Sequence, residues 1–139
     1  MSKFITALTI LVATAVVQPA AGGGIDLVGT AWLVDDIGGR GVIDRARTTL
    51  QFPEPGRVAG HTGCNRFFGP VELNGVAIAF GNLATTRMAC PEALMAQEQR
   101  FLDAMARARR IAPAEHGHVL LVYGDDGKPA LRLSRIVEK

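Results

Sequence analysis

The strongest constraint on the fold of this chain is the spacing of its turn residues. Short apolar segments alternate with turns, and only one long stretch has helical spacing. Residues 48–52 alternate apolar and polar side chains, which is the period-2 pattern of a half-buried strand. Two further alternating runs, 67–73 and 76–80, are separated by Asn74-Gly75, a strong hairpin signal. This pattern predicts antiparallel strands joined by short turns rather than a parallel, doubly wound sheet.

The one helix that the sequence predicts covers about residues 91–108. Pro91 suits the first helical position, since its missing N–H would have no partner there, and Glu92 complements the positive end of the helix. The apolar positions that recur at helical spacing are Leu94, Phe101, Met105 and Ala108. We therefore expect an amphipathic helix that packs on the sheet.

The remaining strands are predicted from shorter patterns. We expect a first strand over 25–34, a loop over 35–47 with a short extended piece near Val42, and two closing strands at 118–123 and around 131–133. Pro70 lacks a ladder donor and so favours an edge or a bulge. The predicted fold class is mainly antiparallel β (α+β): a compact, barrel-like sheet of about six to eight short strands with one helix packed on it.

The N-terminus has the pattern of an export signal. A short basic start with Lys3 precedes an uncharged, mostly apolar run over 4–17, which is too short for a comfortable membrane anchor. Small residues allow cleavage after Ala15 or near Gly22, and no cysteine lies there that could carry a lipid. We expect a signal peptide over 1–22, a single domain over 23–139, and a periplasmic or secreted protein without a membrane span after processing.

Charge excludes some classes of partner. The chain has 15 Lys and Arg against 13 Asp and Glu, and loss of Lys3 with the signal would leave a net charge of about +1. A nearly neutral domain is not suited to dedicated nucleic-acid binding. We expect a monomer that binds an envelope component, either a protein or a small molecule, and that needs no cofactor.

The two cysteines, Cys64 and Cys90, are predicted to form a disulfide in an oxidising compartment. Two alternatives stay open at this point. Both thiols could be free and inert, or Cys90 could be a reactive thiol, because a helix N-terminus favours the thiolate. A metal site would need His61 together with a later histidine, and no second compact ligand pair supports it.

Glu98 interrupts the apolar stripe of the predicted helix. A buried carboxylate needs a partner, and Arg66 and Arg87 beside the cysteine motifs are the predicted candidates. The basic residues at the helix end, Arg107, Arg109 and Arg110, fit a solvated C-terminal turn, with an anionic partner as the alternative. The glycine-rich stretch 38–41 lacks the strand–loop–helix context of a phosphate loop.

Several motifs of this chain resemble those of the META-domain, or HslJ-like, heat-inducible family. The matching stretches are 29–33 (GTAWL), 63–69 (GCNRFFG), 83–91 (LATTRMACP), the helix with Glu98, and the closing hairpin around 126–128 (DGK). They run in family order and cover nearly all of the chain after residue 24. The resemblance implies a compact antiparallel domain with one helix, located in the bacterial envelope.

The resemblance also shapes the functional expectation. The family is linked to heat-shock, antibiotic-resistance and motility or virulence settings, and no agreed catalytic activity comes with it. We therefore expect a non-catalytic envelope module with a role in stress tolerance or partner binding. The expected structural or binding cluster consists of Asn65, Arg66, Thr86, Arg87 and Glu98. The alternatives are a carrier of a small apolar ligand and, from a different class, a thiol-dependent redox enzyme using Cys90.

Overall fold

The computed structural model describes residues 25–139 together with residues 13, 15 and 16. The expected signal peptide therefore lies almost wholly outside the described residues. The described elements are β1 (Ala31–Ile37), β2 (Arg40–Gly41), β3 (Thr48–Gln51), β4 (Arg57–Thr62), β5 (Arg66–Asn74), β6 (Ala77–Phe80), β7 (Ala84–Thr85), α1 (Glu92–Arg107), β8 (Ala108–Ala114), a 3-10 turn (Glu115–Gly117), β9 (Val119–Gly124) and β10 (Pro129–Ile136).

Eight of the described strands form a closed antiparallel barrel. Around the barrel the order is β1, β3, β4, β5, β6, β8, β9 and β10, and β10 pairs with β1 to close it. In this closing pair of strands, Ala31 lies opposite Ile136 and Ile37 lies opposite Leu131. The two short strands lie outside this path, since β2 pairs only with β1 and β7 with β5. The predicted fold class is confirmed.

The helix lies across one end of the barrel. It contacts β1 and β10 on one side and β4 and β6 on the opposite side. Phe101 and Met105 of α1 are fully buried, and the Phe101 ring lies 5.5 Å from that of Phe67 on β5. Burial of each large apolar side chain contributes about 1.5–3 kcal/mol, so this end of the barrel is held mainly by helix packing.

Three local predictions differ from the structure. The first strand begins at residue 31 rather than 25 and extends to 37, so the predicted loop over 35–47 contains the end of β1 and all of β2. The helix predicted over about 91–108 is confirmed as Glu92–Arg107, but β8 follows it without a break. The basic run 109–110 had indicated a helix end, but it lies on a strand whose buried residues, Ala108 and Ile111, face the core.

The hairpin between β5 and β6 is confirmed, with its turn displaced by one residue. Asn74 pairs with Ala77, so the turn is Gly75-Val76 and the positive φ (61°) falls on Gly75 alone. Pro70 lies inside β5 rather than at an edge or bulge. The N–H and C=O of a strand residue face the same antiparallel neighbour, and the Pro70 carbonyl accepts from Gly81. The missing N–H therefore faces a residue just beyond the end of β6, where the ladder is already terminating.

Candidate functional site

The two cysteines are joined by a disulfide that ties the start of β5 to the start of α1. Cys64 lies between β4 and β5, and Cys90 lies two residues before the helix. Their Cα atoms are 6.0 Å apart, and the described residues contain no free cysteine. The predicted pairing is confirmed, and the bond holds the segment 84–91 against the barrel.

Asn65 organises the surroundings of this disulfide. Its side chain is 3% exposed. The Nδ2 group donates to the Glu98 carboxylate at 3.0 and 3.2 Å and contacts the Cys64 sulfur at 3.3 Å. Its Oδ1 accepts from Thr86 Oγ1 at 3.0 Å and from the backbone N–H of Met88 at 2.7 Å. One buried amide therefore connects the helix, the disulfide and the segment that leads to Cys90.

Glu98 does not pair with an arginine, so the predicted ion pair with Arg66 or Arg87 is wrong. Its half-buried carboxylate accepts from Asn65 Nδ2 and from the Thr62 hydroxyl. Neither arginine takes part in an ion pair among the described residues, and both side chains are exposed. Neutral donors satisfy the carboxylate because the strand ends present them directly under the helix.

Thr62 fixes the tight connection that positions Cys64 and Asn65. Its Oγ1 accepts from the backbone N–H groups of both residues, at 3.2 and 2.8 Å, while the same hydroxyl donates to Glu98. Gly63, between Thr62 and Cys64, has a φ of 99°, a backbone conformation that favours glycine. The sequence pattern did not single out Thr62, although a threonine before a glycine turn is a known local hydrogen-bonding signal.

Gln97 is the second residue that the sequence interpretation missed. It is fully buried on the core side of α1. Its Oε1 accepts from the N–H of Ile43 at 2.8 Å and its Nε2 donates to Thr48 Oγ1 at 3.2 Å, so it fixes the helix to the loop before β3. Its position four residues before Phe101 could have revealed it, since this spacing places both on one face.

The histidines do not gather around the cysteines. His61 uses Nδ1 to accept from the N–H of Gly63 at 3.0 Å, and His116 and His118 lie exposed at the 3-10 turn. No group of three potential metal ligands occurs among the described residues. With both sulfurs in a disulfide, the described arrangement provides neither a thiolate nucleophile nor a thiolate ligand.

The basic residues at the end of the helix separate into different settings. Arg109 donates to the carbonyl of Ala108 at 2.8 Å, and the Arg110 guanidinium lies 4.1 Å from the centre of the Tyr123 ring. Arg107 instead lines a cleft beside the helix. The predicted cluster is therefore not one continuous surface.

One surface stands out above the disulfide, and we call it the cysteine-motif face: Arg66, Phe68, Arg87 and Met88. Phe68 and Met88 are 58% and 59% exposed, although they are large and apolar. The segment with Arg87 and Met88 follows β7, which pairs with β5 at Phe68. Exchange of hydrogen bonds between Arg66 and Thr86 continues this pairing toward the disulfide.

These features define a small helix-capped β-barrel, braced by one disulfide between barrel and helix. The chain belongs to the META-domain family, whose model matches residues 25–135. No helix within the described residues is long and apolar enough to cross a membrane.

Solved structures share this fold. An NMR structure of a protein from Burkholderia xenovorans is 25% identical, with a TM-score of 0.67, and the match covers 94% of this chain and 96% of that one. A second NMR structure is 21% identical with a TM-score of 0.62, covering 78% of this chain and 90% of that chain. Among curated proteins, none matches this chain.

Proposed function

We propose that this protein is an exported, non-catalytic envelope module that supports stress tolerance by binding a protein partner through its cysteine-motif face. Three observations support export. Residues 1–22 have the composition of a signal peptide, with a cleavage site after Ala15 or near Gly22. The Cys64–Cys90 disulfide suits an extracytoplasmic compartment, and family membership fits the same location.

The rigid presentation of Met88 is the observation that carries the binding proposal. Its side chain is exposed, while its backbone N–H is held by the buried Asn65 and the disulfide closes the same segment two residues later. Ordering a loop on binding costs affinity, and a segment held in place beforehand avoids much of that cost. An exposed apolar side chain on a fixed support is therefore suited to a partner.

The chemistry of the cysteine-motif face suggests what kind of partner it takes. Phe68 and Met88 offer apolar contact, and Arg66 and Arg87 have no ion-pair partner among the described residues. Aromatic residues, methionine and arginine are enriched in protein interfaces. The favoured partner is a protein whose surface combines an apolar patch with acidic residues.

The two alternative functions have less support. A carrier of an apolar ligand needs an internal cavity, whereas Phe67, Phe101 and their neighbours fill the barrel interior. Three clefts among the described residues, with volumes of about 190–390 Å³, open at the surface. A thiol-dependent enzyme needs a free Cys90, and that sulfur is bonded to Cys64.

Site-specific photo-crosslinking in the native host tests the binding proposal. A photoreactive side chain replaces Met88, and Val76 serves as the control because it is 50% exposed in the turn at the other end of β5. We expect a discrete crosslinked protein from position 88 and none from position 76. Likewise Met88→Asp should fail to restore stress survival to a deletion strain, whereas Val76→Asp should restore it. Equal results at the two positions would contradict the assignment of this face.

Export is tested by the intact mass of protein taken from the host envelope, with and without reduction before alkylation. A mass reduced by the signal peptide, with two alkyl groups added only after reduction, is the expected result. An untruncated chain, or alkylation of Cys90 without reduction, would refute the export and disulfide part of the proposal.

A further inference from the structure

A second group of cations converges beside the C-terminal half of the helix. Arg100 and Arg107 of α1 and Arg40 of β2 line one cleft of about 220 Å³, which we call the arginine cleft. The Gly38-Gly39 turn makes this possible, because both glycines have positive φ (61° and 87°) and reverse the chain directly after β1. The glycine-rich stretch thus serves to place Arg40 beside the helix.

The guanidinium groups of the arginine cleft lack carboxylate partners. The ion pairs among the described residues involve only Arg57 and Arg132. Nε of Arg100 is buried and has no hydrogen-bond acceptor in the part of the chain that the structure describes. Asp103 also lines the cleft, but its Oδ1 accepts from Gln99 at 2.9 Å. The buried Nε is itself closed to solvent, so an anion in the cleft would pair with the outer nitrogens of these guanidinium groups.

The floor of the arginine cleft strengthens any interaction with an anion. Ile37, Ala104 and Ala130 line it and are at most 8% exposed. Apolar walls lower the local dielectric, so a charge-assisted hydrogen bond is stronger there than in open water. The N–H of Gly38 already donates to the carbonyl of Ala130. The donors left for an anion are therefore the guanidinium groups rather than this backbone N–H.

We propose that the arginine cleft binds a phosphate group, either free or carried by a small molecule. A guanidinium group presents a planar pair of donors that matches two phosphate oxygens, and the three arginines less the one carboxylate of Asp103 leave a net of two positive charges to offset a dianion. A second cleft of about 190 Å³ also contains Arg107 and Ala130 and is lined further by Lys128 and Asp126. Because the two clefts share Arg107 and Ala130, the second cleft is open to the organic group of a phosphate ester bound in the first.

Calorimetric titration with inorganic phosphate and with glycerol 3-phosphate, at constant ionic strength, tests the proposal. Arg107→Ala and Arg100→Gln should each weaken binding about ten- to a hundredfold, the effect of losing a hydrogen bond to a charged group. Arg109→Ala is the matched control, since it removes the same charge two positions from Arg107 but its guanidinium donates to the carbonyl of Ala108. It should change the affinity by less than about twofold.

The source of the phosphate is distinguished by sedimentation with phosphatidylglycerol vesicles. Vesicle binding that follows the same variant pattern, without binding of the soluble probes, assigns the cleft to a lipid headgroup. Binding of a soluble probe alone assigns it to a free phosphate or a small ester. The proposal is overturned if no probe binds, or if Arg109→Ala weakens binding as much as Arg107→Ala. Met88→Asp should leave phosphate binding unchanged, so the result is independent of the partner proposed for the cysteine-motif face.

Discussion

Loss of the Cys64–Cys90 bond should lower the free energy of unfolding by about 3.5 kcal/mol. The bond joins positions 26 apart in sequence. In the chain-entropy model, a loop of this length removes roughly 12 cal/mol/K from the unfolded chain, which is about 3.5 kcal/mol at 25 °C. With about 2.1 cal/mol/K of unfolding entropy per residue over residues 25–139, the thermal midpoint should fall by about 15 °C.

Trp32 provides the measurement. It is the only tryptophan of the chain and is 3% exposed, with its indole N–H bonded to Thr30 Oγ1 at 2.7 Å. Its fluorescence should shift to longer wavelength when the barrel opens. Thermal unfolding is followed with and without a phosphine reductant, and the control is the double variant Cys64→Ser/Cys90→Ser, which should unfold near the reduced protein and ignore the reductant.

The direction of the effect is set by the unfolded chain, because most folded-state contacts remain after reduction. The bonds of Asn65 to Glu98, Thr86 and Met88 do not run through the sulfurs, so we expect them to persist after reduction. A midpoint that falls by less than about 4 °C would refute this reasoning, since it would imply that residual structure already restrains the unfolded loop. An equal response of the double serine variant would show that the reductant acts elsewhere.

Three substitutions probe the packing around the same site, each measured by denaturant unfolding with a native-like circular dichroism spectrum as the check on folding. Glu98→Gln should cost about 1–3 kcal/mol, because it removes the charge that strengthens the bonds from Thr62 and Asn65 and sets an NH2 donor where Oε1 now lies 3.2 Å from Asn65 Nδ2; an unchanged midpoint would contradict the hydrogen-bond network. Asn65→Asp should cost more than Glu98→Gln, since it sets a second carboxylate about 3 Å from the first; a smaller cost would contradict the proposed geometry. Gly60→Ala should cost about 1–3 kcal/mol or more, because the added Cβ would lie 2.1 Å from the carbonyl oxygen of Thr49. Tolerance of this alanine would mean that β3 and β4 approach less closely than described.

Local patterns predicted much of the fold because their physical causes are local. Proline and glutamate at the helix start and the alternation in β5 act within a few residues, and both elements are observed. Closure of the barrel has no such local cause. The pairing of Ala31 with Ile136 depends on register between distant strands, and no local pattern encodes it. The strand β8 was missed because Arg109 and Arg110 suit a helix end as well as an exposed strand face.

The sequence interpretation named three residues of the observed hydrogen-bond network, Asn65, Thr86 and Glu98, but not the contacts between them. The sequence placed Asn65 and Glu98 in one cluster, yet it assigned Glu98 an arginine partner on charge alone. The structure satisfies Glu98 with Thr62 and Asn65, because the loop at Gly63 turns both toward the helix. The arginine cleft was likewise hidden, since Arg40 and Arg107 are 67 positions apart and meet only through the fold.

The pairing of the first barrel strand with the last has a consequence for the order of events during synthesis. A chain that emerges from its N-terminus can assemble the hairpins up to β6 early, but β1 keeps an open edge until β10 arrives about a hundred residues later. The barrel therefore stays incomplete until translation of this domain is almost finished. Until β10 pairs with it, the free edge of β1 presents unpaired N–H and C=O groups to which a strand of another chain can add.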